Sequence, residues 1–323
     1  MSENVKISGF SMGKNALKLY YPMKQAVMSI LPIVDEFVVA LGDSDEDDRT
    51  RAEIESIGSD KIRIIDTVWD IEKYPRGMEH AHQTDIARSH CTGDWLFYLQ
   101  SDEVIHEKYL PVIQKRCEEL KDDKEVEGLL FNYRHFWGDY EHFQDGHCWY
   151  RHEIRIVRND PEIHSWESAQ SFRRIPGFDG LHYRQQEHTY KLKVAPVDAW
   201  VYHYGWVRPP RLMQNKIKAF SMNHRGRDSV MELDRKNMYD KLYDYGNLAK
   251  LPRFTGSHPK VMKAWIDDFD WKDQLRYSGP ARSINALKNK HDKAKYRVVS
   301  WIEKNILGGT RLGEFKNYIL TRK

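Results

Sequence analysis

Two short stretches of the chain place carboxylates directly behind apolar, strand-like runs. Gly42-Asp43-Ser44-Asp45 follows Glu36 to Leu41, and Gln100-Ser101-Asp102-Glu103 follows Trp95 to Leu99. A carboxylate taken out of water costs several kcal/mol unless it is paired or bound to a cation. Hard divalent cations such as Mn²⁺ and Mg²⁺ prefer oxygen ligands and bridge naturally to phosphates. Asp102 is therefore the candidate metal ligand, with Glu103 as its helper. Asp43 lies nearest its strand and is the candidate acceptor for hydrogen bonds from a nucleobase or ribose. The competing reading is local: a solvated turn around Asp43, and Ser101 or Asp102 capping a helix that starts near His106.

Three further features could complete such a site. His203 lies mid-strand in Val201-Tyr202-His203-Tyr204-Gly205-Trp206. A lone histidine is more often structural, but a site with one metal-binding aspartate needs another ligand, and imidazole suits Mn²⁺. Glu167, in His164-Ser165-Trp166-Glu167-Ser168, could act as a general base, with Trp166 stacking on a sugar ring; a plain surface loop is the alternative. Arg76 and Arg88 lie on either side of the helix that precedes the Asp102 strand, where either could neutralise a diphosphate. Trp137, Trp149 and Trp166 are candidates to line an acceptor. No Walker, GxGxxG or HExxH pattern occurs.

Positioning those residues requires strands that end together. In the first third of the chain, strand signals (Val5–Phe10, Glu36–Leu41, Ile62–Val68, Trp95–Leu99) alternate with helix signals (Leu17–Leu31, Arg49–Ile57, His80–His90, His106–Lys121). That alternation predicts βαβ units, a mostly parallel central sheet and helices on both faces. In such a sheet ligands bind in the crevice outside the strand C-termini. Gly128–Trp137, Trp149–Val157 and Trp200–Tyr204 read as further strands, and from Pro209 onward the pattern is helical and charged. The expected organisation is a ligand-binding domain over 1–208 and a helical extension over 209–323 packing on it.

Bulk properties limit the function classes. Apolar residues make up 40% and aromatics 12% of 323 residues, enough for a substantial core. Lysine and arginine number 51 against 48 aspartates and glutamates, a net charge of +3, which argues against a dedicated nucleic-acid binder. Cys91, Cys117 and Cys148 are few and far apart, which fits a reducing compartment rather than a disulfide framework. No signal-like apolar core or spanning run is present, so a cytoplasmic location is expected. The amphipathic stretch Tyr296–Leu307, flanked by lysines, suggests either packing on the main domain or contact with the inner face of a membrane.

In the order of these motifs the chain resembles family 2 glycosyltransferases of the GT-A fold, over residues 4 to 205. Gly9-Phe10-Ser11 resembles the opening strand that cups the nucleobase, Asp43-Ser44-Asp45 the acidic motif after the second strand, and Arg88 through Asp94-Trp95 to Asp102 the run into the family's DxD. His203-Tyr204-Gly205 resembles a strand-end motif in which the histidine joins the metal site. Gln100 stands where the family has its first DxD carboxylate, which throws the metal onto Asp102. The resemblance implies a Rossmann-like α/β fold and an inverting transfer of sugar from a UDP- or GDP-sugar to the hydroxyl of a saccharide or lipid-linked acceptor, in polysaccharide or glycoconjugate synthesis. It implies a nucleotide-sugar site at Phe10, Ser11, Asp43, Asp45, Arg76, Arg88 and Ser101, a Mn²⁺ or Mg²⁺ at Asp102 and His203, and Glu167 as base. The alternatives are a sugar nucleotidyltransferase, which expects a denser glycine loop after the first strand, and a non-catalytic carbohydrate-binding protein, which has no need of strand-end carboxylates.

Overall fold

The computed structural model describes residues 5–235, 241–279, 291, 293–314 and 316–323. The first half alternates as the apolar pattern requires: β1 (Ile7–Gly13), α1 (Met23–Ile30), β2 (Glu36–Leu41), α2 (Thr50–Glu55), β3 (Ile62–Asp66), α3 (Met78–Ser89) and β4 (Trp95–Tyr98). These strands lie in the order β3-β2-β1-β4, all parallel, so their C-terminal ends share one edge. β1 and β4 are buried along their whole length. Successive residues of a strand face opposite sides. Phe37 and Val39 pack with Val27 and Ile30 of α1 on one face, whereas Val38 and Ala40 pack with Ala87 of α3 on the other.

The second half extends the sheet through β5 (Glu103–Ile105), α4 (Leu110–Glu119), β6 (Gly128–Trp137), β7 (Phe143–Gln144), β8 (His152–Arg158), β9 (Ile163–Trp166), β10 (Ser171–Arg174) and β11 (Tyr190–Trp206). The order continues β4-β8-β6-β11-β10-β9, with β8 antiparallel to both neighbours and β6 parallel to β11. The expected α/β architecture is present. The chain then runs through α5 (Pro210–Arg225), α6 (Arg227–Arg235), α7 (Lys263–Asp267) and α8 (Ala294–Asn305), and returns to the sheet as β12 (Tyr318–Leu320), parallel to Leu192–Val194 of β11.

Three boundaries differ from the sequence expectation for definable reasons. The helix expected from Leu17 begins only at Met23, because Pro22 disfavours helical geometry at the residue before it and Tyr20 is left-handed at φ 60°. The helix expected from His106 begins at Leu110, because Glu103–Ile105 is recruited as a strand against Val201–His203. His106, not Asp102 or Ser101, caps the short turn that leads into it, accepting from the Lys108 amide. β11 is far longer than Trp200–Tyr204, because it is bordered in turn by β10, β12, β6 and β5. Among the described residues no helix is long and apolar enough to cross a membrane, and no disulfide joins the three cysteines.

Candidate functional site

Asp102 leaves the loop after β4 and is almost fully buried. Its Oδ2 lies 3.6 Å from Nε2 of His203 on β11 and 3.4 Å from Nζ of Lys216 on α5. Burial by itself would raise the Asp102 carboxyl, but His203, Lys216 and Arg208 outweigh it and hold the group well below the usual carboxylate range. Lys216 donates to the Gly205 carbonyl at 2.6 Å, and burial, reinforced by Arg208, pulls its ammonium down to about 7.

The tautomer of His203 is set from behind. His135 Nε2 lies 2.8 Å from the Tyr150 carbonyl, which can only accept, so this nitrogen carries the proton. Burial, then the neighbouring His203, push His135 well below the ordinary imidazole range, so its Nδ1 is a bare acceptor. His203 Nδ1 lies 2.9 Å away and must donate to it. The remaining nitrogen of His203, Nε2, then faces Asp102 Oδ2, with a proton between them whenever His203 lends the positive charge that lowers that carboxyl. Two electron-pair donors thus face each other across one gap, which a proton or a cation must occupy. The register between β6 and β11, with His135 opposite His203, creates this chain.

Gly205 keeps the gap open. A Cβ at this position would stand 2.4 Å from Asp102 Oδ2 and 2.6 Å from His203 Nε2. The backbone there needs no glycine for its torsion angle; the space does. One carboxylate oxygen and one imidazole nitrogen suit Mn²⁺ or Mg²⁺, and such ions ordinarily take further ligands from phosphate and water. Among the described residues no cluster of three or more His, Cys, Asp or Glu side chains stands ready for a metal, so a cation here would depend on its cargo for the rest of its shell. Glu103, expected as helper, is turned away: both its oxygens hold Arg155, at 2.7 and 2.8 Å, and Tyr133 donates to it at 2.9 Å.

The other expected residues divide. Ser101 borders the site and donates to the Met12 carbonyl at 3.0 Å, tying the Asp102 loop to the end of β1. Asp43 follows β2 on the same sheet edge and is exposed; it accepts from Lys14 Nζ at 2.8 Å and the Trp69 amide at 2.9 Å. Burial tends to raise its carboxyl, but Lys14 and the Trp69 amide lower it on balance. β2 and β4 are two strand spacings apart, on the order of 10 Å, so the strand ends that Asp43 and Asp102 follow lie near each other on one edge of the sheet. Asp45 is further out, paired with Lys18 at 2.8 Å. Arg76 is exposed in the left-handed turn before α3.

Phe10, Ser11 and Arg88 are corrected. Phe10 has no exposed surface and packs on Tyr98 and Phe172 at ring distances of 5.2 and 6.2 Å. Ser11 is equally buried and donates to the Leu99 carbonyl at 2.7 Å. Both sit on a central strand covered on both faces, so their side chains build the core. Arg88 is buried and held by Asp85 at 3.1 Å and the Asp160 carbonyl at 3.4 Å; it pins α3 to the β9 region instead of facing a diphosphate.

Glu167 lies in the turn between β9 and β10, part-exposed, 3.7 Å from Arg184 Nη2. Glu167 and Ala169 both have left-handed backbones, at φ 57° and 61°, a strain of about 1 kcal/mol or more each that persists where surroundings enforce it. Gln100 Nε2 donates to the Ala169 carbonyl at 2.9 Å, and Arg155 donates to the Gln170 carbonyl at 2.9 Å while also holding Glu103. The Glu167 turn is thereby tied to the Asp102 loop. Of the acceptor aromatics, Trp137 and Trp166 are buried. Trp149 borders a cavity of about 330 Å³ that also touches His135, Tyr150 and Arg134.

Sequence reasoning missed Lys14, His135, Gly205 as a spacer, Arg208 and Lys216. His135 and Lys216 carry no local motif; only strand register and the return of α5 bring them to Asp102.

No family model matches the chain, and no curated protein matches it. Among solved structures, one overlap is with glucosyl-3-phosphoglycerate synthase from Mycobacterium tuberculosis in complex with Mn²⁺, uridine diphosphate and glucosyl-3-phosphoglycerate, at 18% identity over 40% of this chain and 44% of that one, with a TM-score of 0.29. Another is with S. aureus TarS 1-349 in complex with UDP, at 12% identity over 68% of this chain and 65% of that one, with a TM-score of 0.36. The chain thus spans less than half the length of the first and under two thirds of the second. At these scores the likeness is one of partial backbone path.

Proposed function

We propose that the chain is a metal-dependent glycosyltransferase that takes a nucleoside-diphosphate sugar at the C-terminal edge of its parallel strands. The observation that carries this reading is the gap between Asp102 Oδ2 and His203 Nε2, kept free by Gly205 and bordered by the cations Lys216 and Arg208. A cation held by that pair would neutralise negative charge on the departing diphosphate. Asp43 and Lys14, at the neighbouring strand ends, would receive the nucleoside. Glu167, fixed by Gln100 and Arg155 through its turn, would take the proton from an acceptor hydroxyl, giving a single inverting displacement. The cavity bordered by Trp149 and Tyr150 offers aromatic surface for a saccharide acceptor.

In this reading residues 1–208 bind the donor and carry out catalysis, and 209–323 pack on them and lend Lys216 to the site. Val298, Trp301 and Ile306 are exposed on and just after α8, near Lys295, Arg297 and Lys304, which favours contact with an anionic membrane surface and a lipid-linked acceptor. A role on the cytoplasmic side, in glycoconjugate or polysaccharide synthesis, goes with this reading. Sedimentation with anionic liposomes, with and without residues 290–323, tests the membrane part.

Calorimetric titration with UDP-sugars in the presence and absence of Mn²⁺ tests the core of the proposal. Metal-dependent donor binding, with slow hydrolysis of the donor when acceptor is missing, is the expected result; donor binding that ignores Mn²⁺ refutes it. Glu167→Gln should lower turnover about 10²–10⁴-fold with donor binding nearly intact, and full activity in that variant removes Glu167 as base.

A further inference from the structure

Lys216 is placed ambiguously for an ordinary structural ion pair. Its Nζ makes its short contact, 2.6 Å, to the Gly205 carbonyl, and stands 3.4 Å from Asp102 Oδ2, the oxygen that faces His203. The ammonium lies 5.1 Å from the Tyr21 ring centre and 5.3 Å from that of Trp206, which fixes its direction. Arg208, fully buried, adds a second positive charge: its guanidinium donates to the Leu19 and Gly205 carbonyls and stacks on Tyr21. Two basic side chains therefore flank one carboxylate. A cluster with surplus positive charge, one member of which keeps 12% of its side chain exposed, is a poor terminal arrangement for a core and a good one for receiving an anion.

The geometry points to an exchange at Asp102, and it rests on the reading of that residue as a metal ligand. We propose that Lys216 is the counter-ion of Asp102 while the site is without metal, and becomes a hydrogen-bond donor to a diphosphate oxygen once a divalent cation takes the carboxylate. The ammonium and the cation compete for the same oxygen, Asp102 Oδ2. Displaced from it, Lys216 still holds the Gly205 carbonyl at the edge of the gap and has protons left to donate. The positive charge that opposes the bare metal then favours the metal with its diphosphate. In this role α5, a helix of the extension, makes metal and nucleotide binding mutually reinforcing, since a coupling between two ligands acts equally in both directions.

This exchange makes two predictions of opposite sign, which a merely structural lysine does not. Isothermal titration with Mn²⁺ alone, and with UDP at saturating Mn²⁺, is to be run on the full chain and on Lys216→Met, Lys216→Gln and Lys216→Arg, with melting curves to confirm folding. Removing the charge should tighten Mn²⁺ alone about fivefold to tenfold and weaken UDP about 10- to 100-fold, the range of a lost charge-assisted hydrogen bond. Lys216→Gln should repeat both signs, and Lys216→Arg should stay within a few-fold of the parent for both ligands. Affinities that move in the same direction in Lys216→Met and Lys216→Gln, or do not move, overturn the exchange while the metal site stands. A parent chain that binds neither Mn²⁺ nor UDP overturns the metal reading and the exchange with it.

Discussion

Asp43 and Asp102 begin alike and end differently. Each follows an apolar parallel strand, and each lies on the same edge of the sheet. Asp43 remains exposed and is answered by one half-buried lysine and one amide. Asp102 is buried, faces a histidine of fixed tautomer, and has two cations beside it. The difference arises outside the motif. β2 is followed by open loop, whereas the loop after β4 is covered by the end of β11 and by α5. A strand-end carboxylate becomes a strong electrostatic centre only when later parts of the chain remove its water.

Substitutions at the two positions should show that contrast most sharply. Asp102→Ala leaves Lys216 and Arg208 without their carboxylate, and should cost roughly 3 kcal/mol of stability as well as eliminating Mn²⁺-dependent UDP binding. Chemical denaturation and calorimetry measure both; a variant of parental stability that still binds Mn²⁺ would dissolve the contrast.

Gly205→Ala probes the gap without touching a charge. The added methyl would meet both donor atoms well inside contact distance, so Mn²⁺ affinity should fall by about 100-fold or more if the metal needs that space. His135→Phe removes the acceptor that holds the His203 proton on Nδ1. Loss of such a supporting hydrogen bond should lower metal affinity about 10- to 100-fold. In the metal-free parent, nitrogen NMR should find His203 protonated at Nδ1; a proton on Nε2 instead would break the proposed relay.

The smallest effect belongs to Asp43. Asp43→Asn should change stability by less than about 1 kcal/mol, as expected for a surface pair, and weaken nucleotide binding only several-fold. Acid sensitivity follows the same ranking. Both carboxyls are held below their ordinary value of 3.8 in the folded chain. Their contribution to stability is therefore complete above that pH and is lost as pH falls through the lower folded values. The acid limb of the stability curve should flatten more in Asp102→Asn than in Asp43→Asn, and equal flattening would place the two residues in equivalent settings.

The sequence by itself determined the parallel half of the sheet. Glu36–Leu41 and Trp95–Tyr98 stand where their apolar runs put them, because a strand buried on both faces must be written as a continuous apolar segment. It also determined that Asp43 and Asp102 would lie at strand ends, since position along a strand is local information. Phe10, Ser11 and Arg88 were misplaced because the same local signal does not say which way a side chain points or what already occupies it. Glu103, adjacent to Asp102, was claimed by Arg155 from a distant strand.

Only the tertiary structure decided what surrounds Asp102. The meeting of Asp102, His135, His203, Gly205 and Lys216 depends on the register of β6 against β11 and on the path of α5 back over the sheet edge. Register and return path are set by the packing of the whole core, so no spacing within a single segment could have carried them.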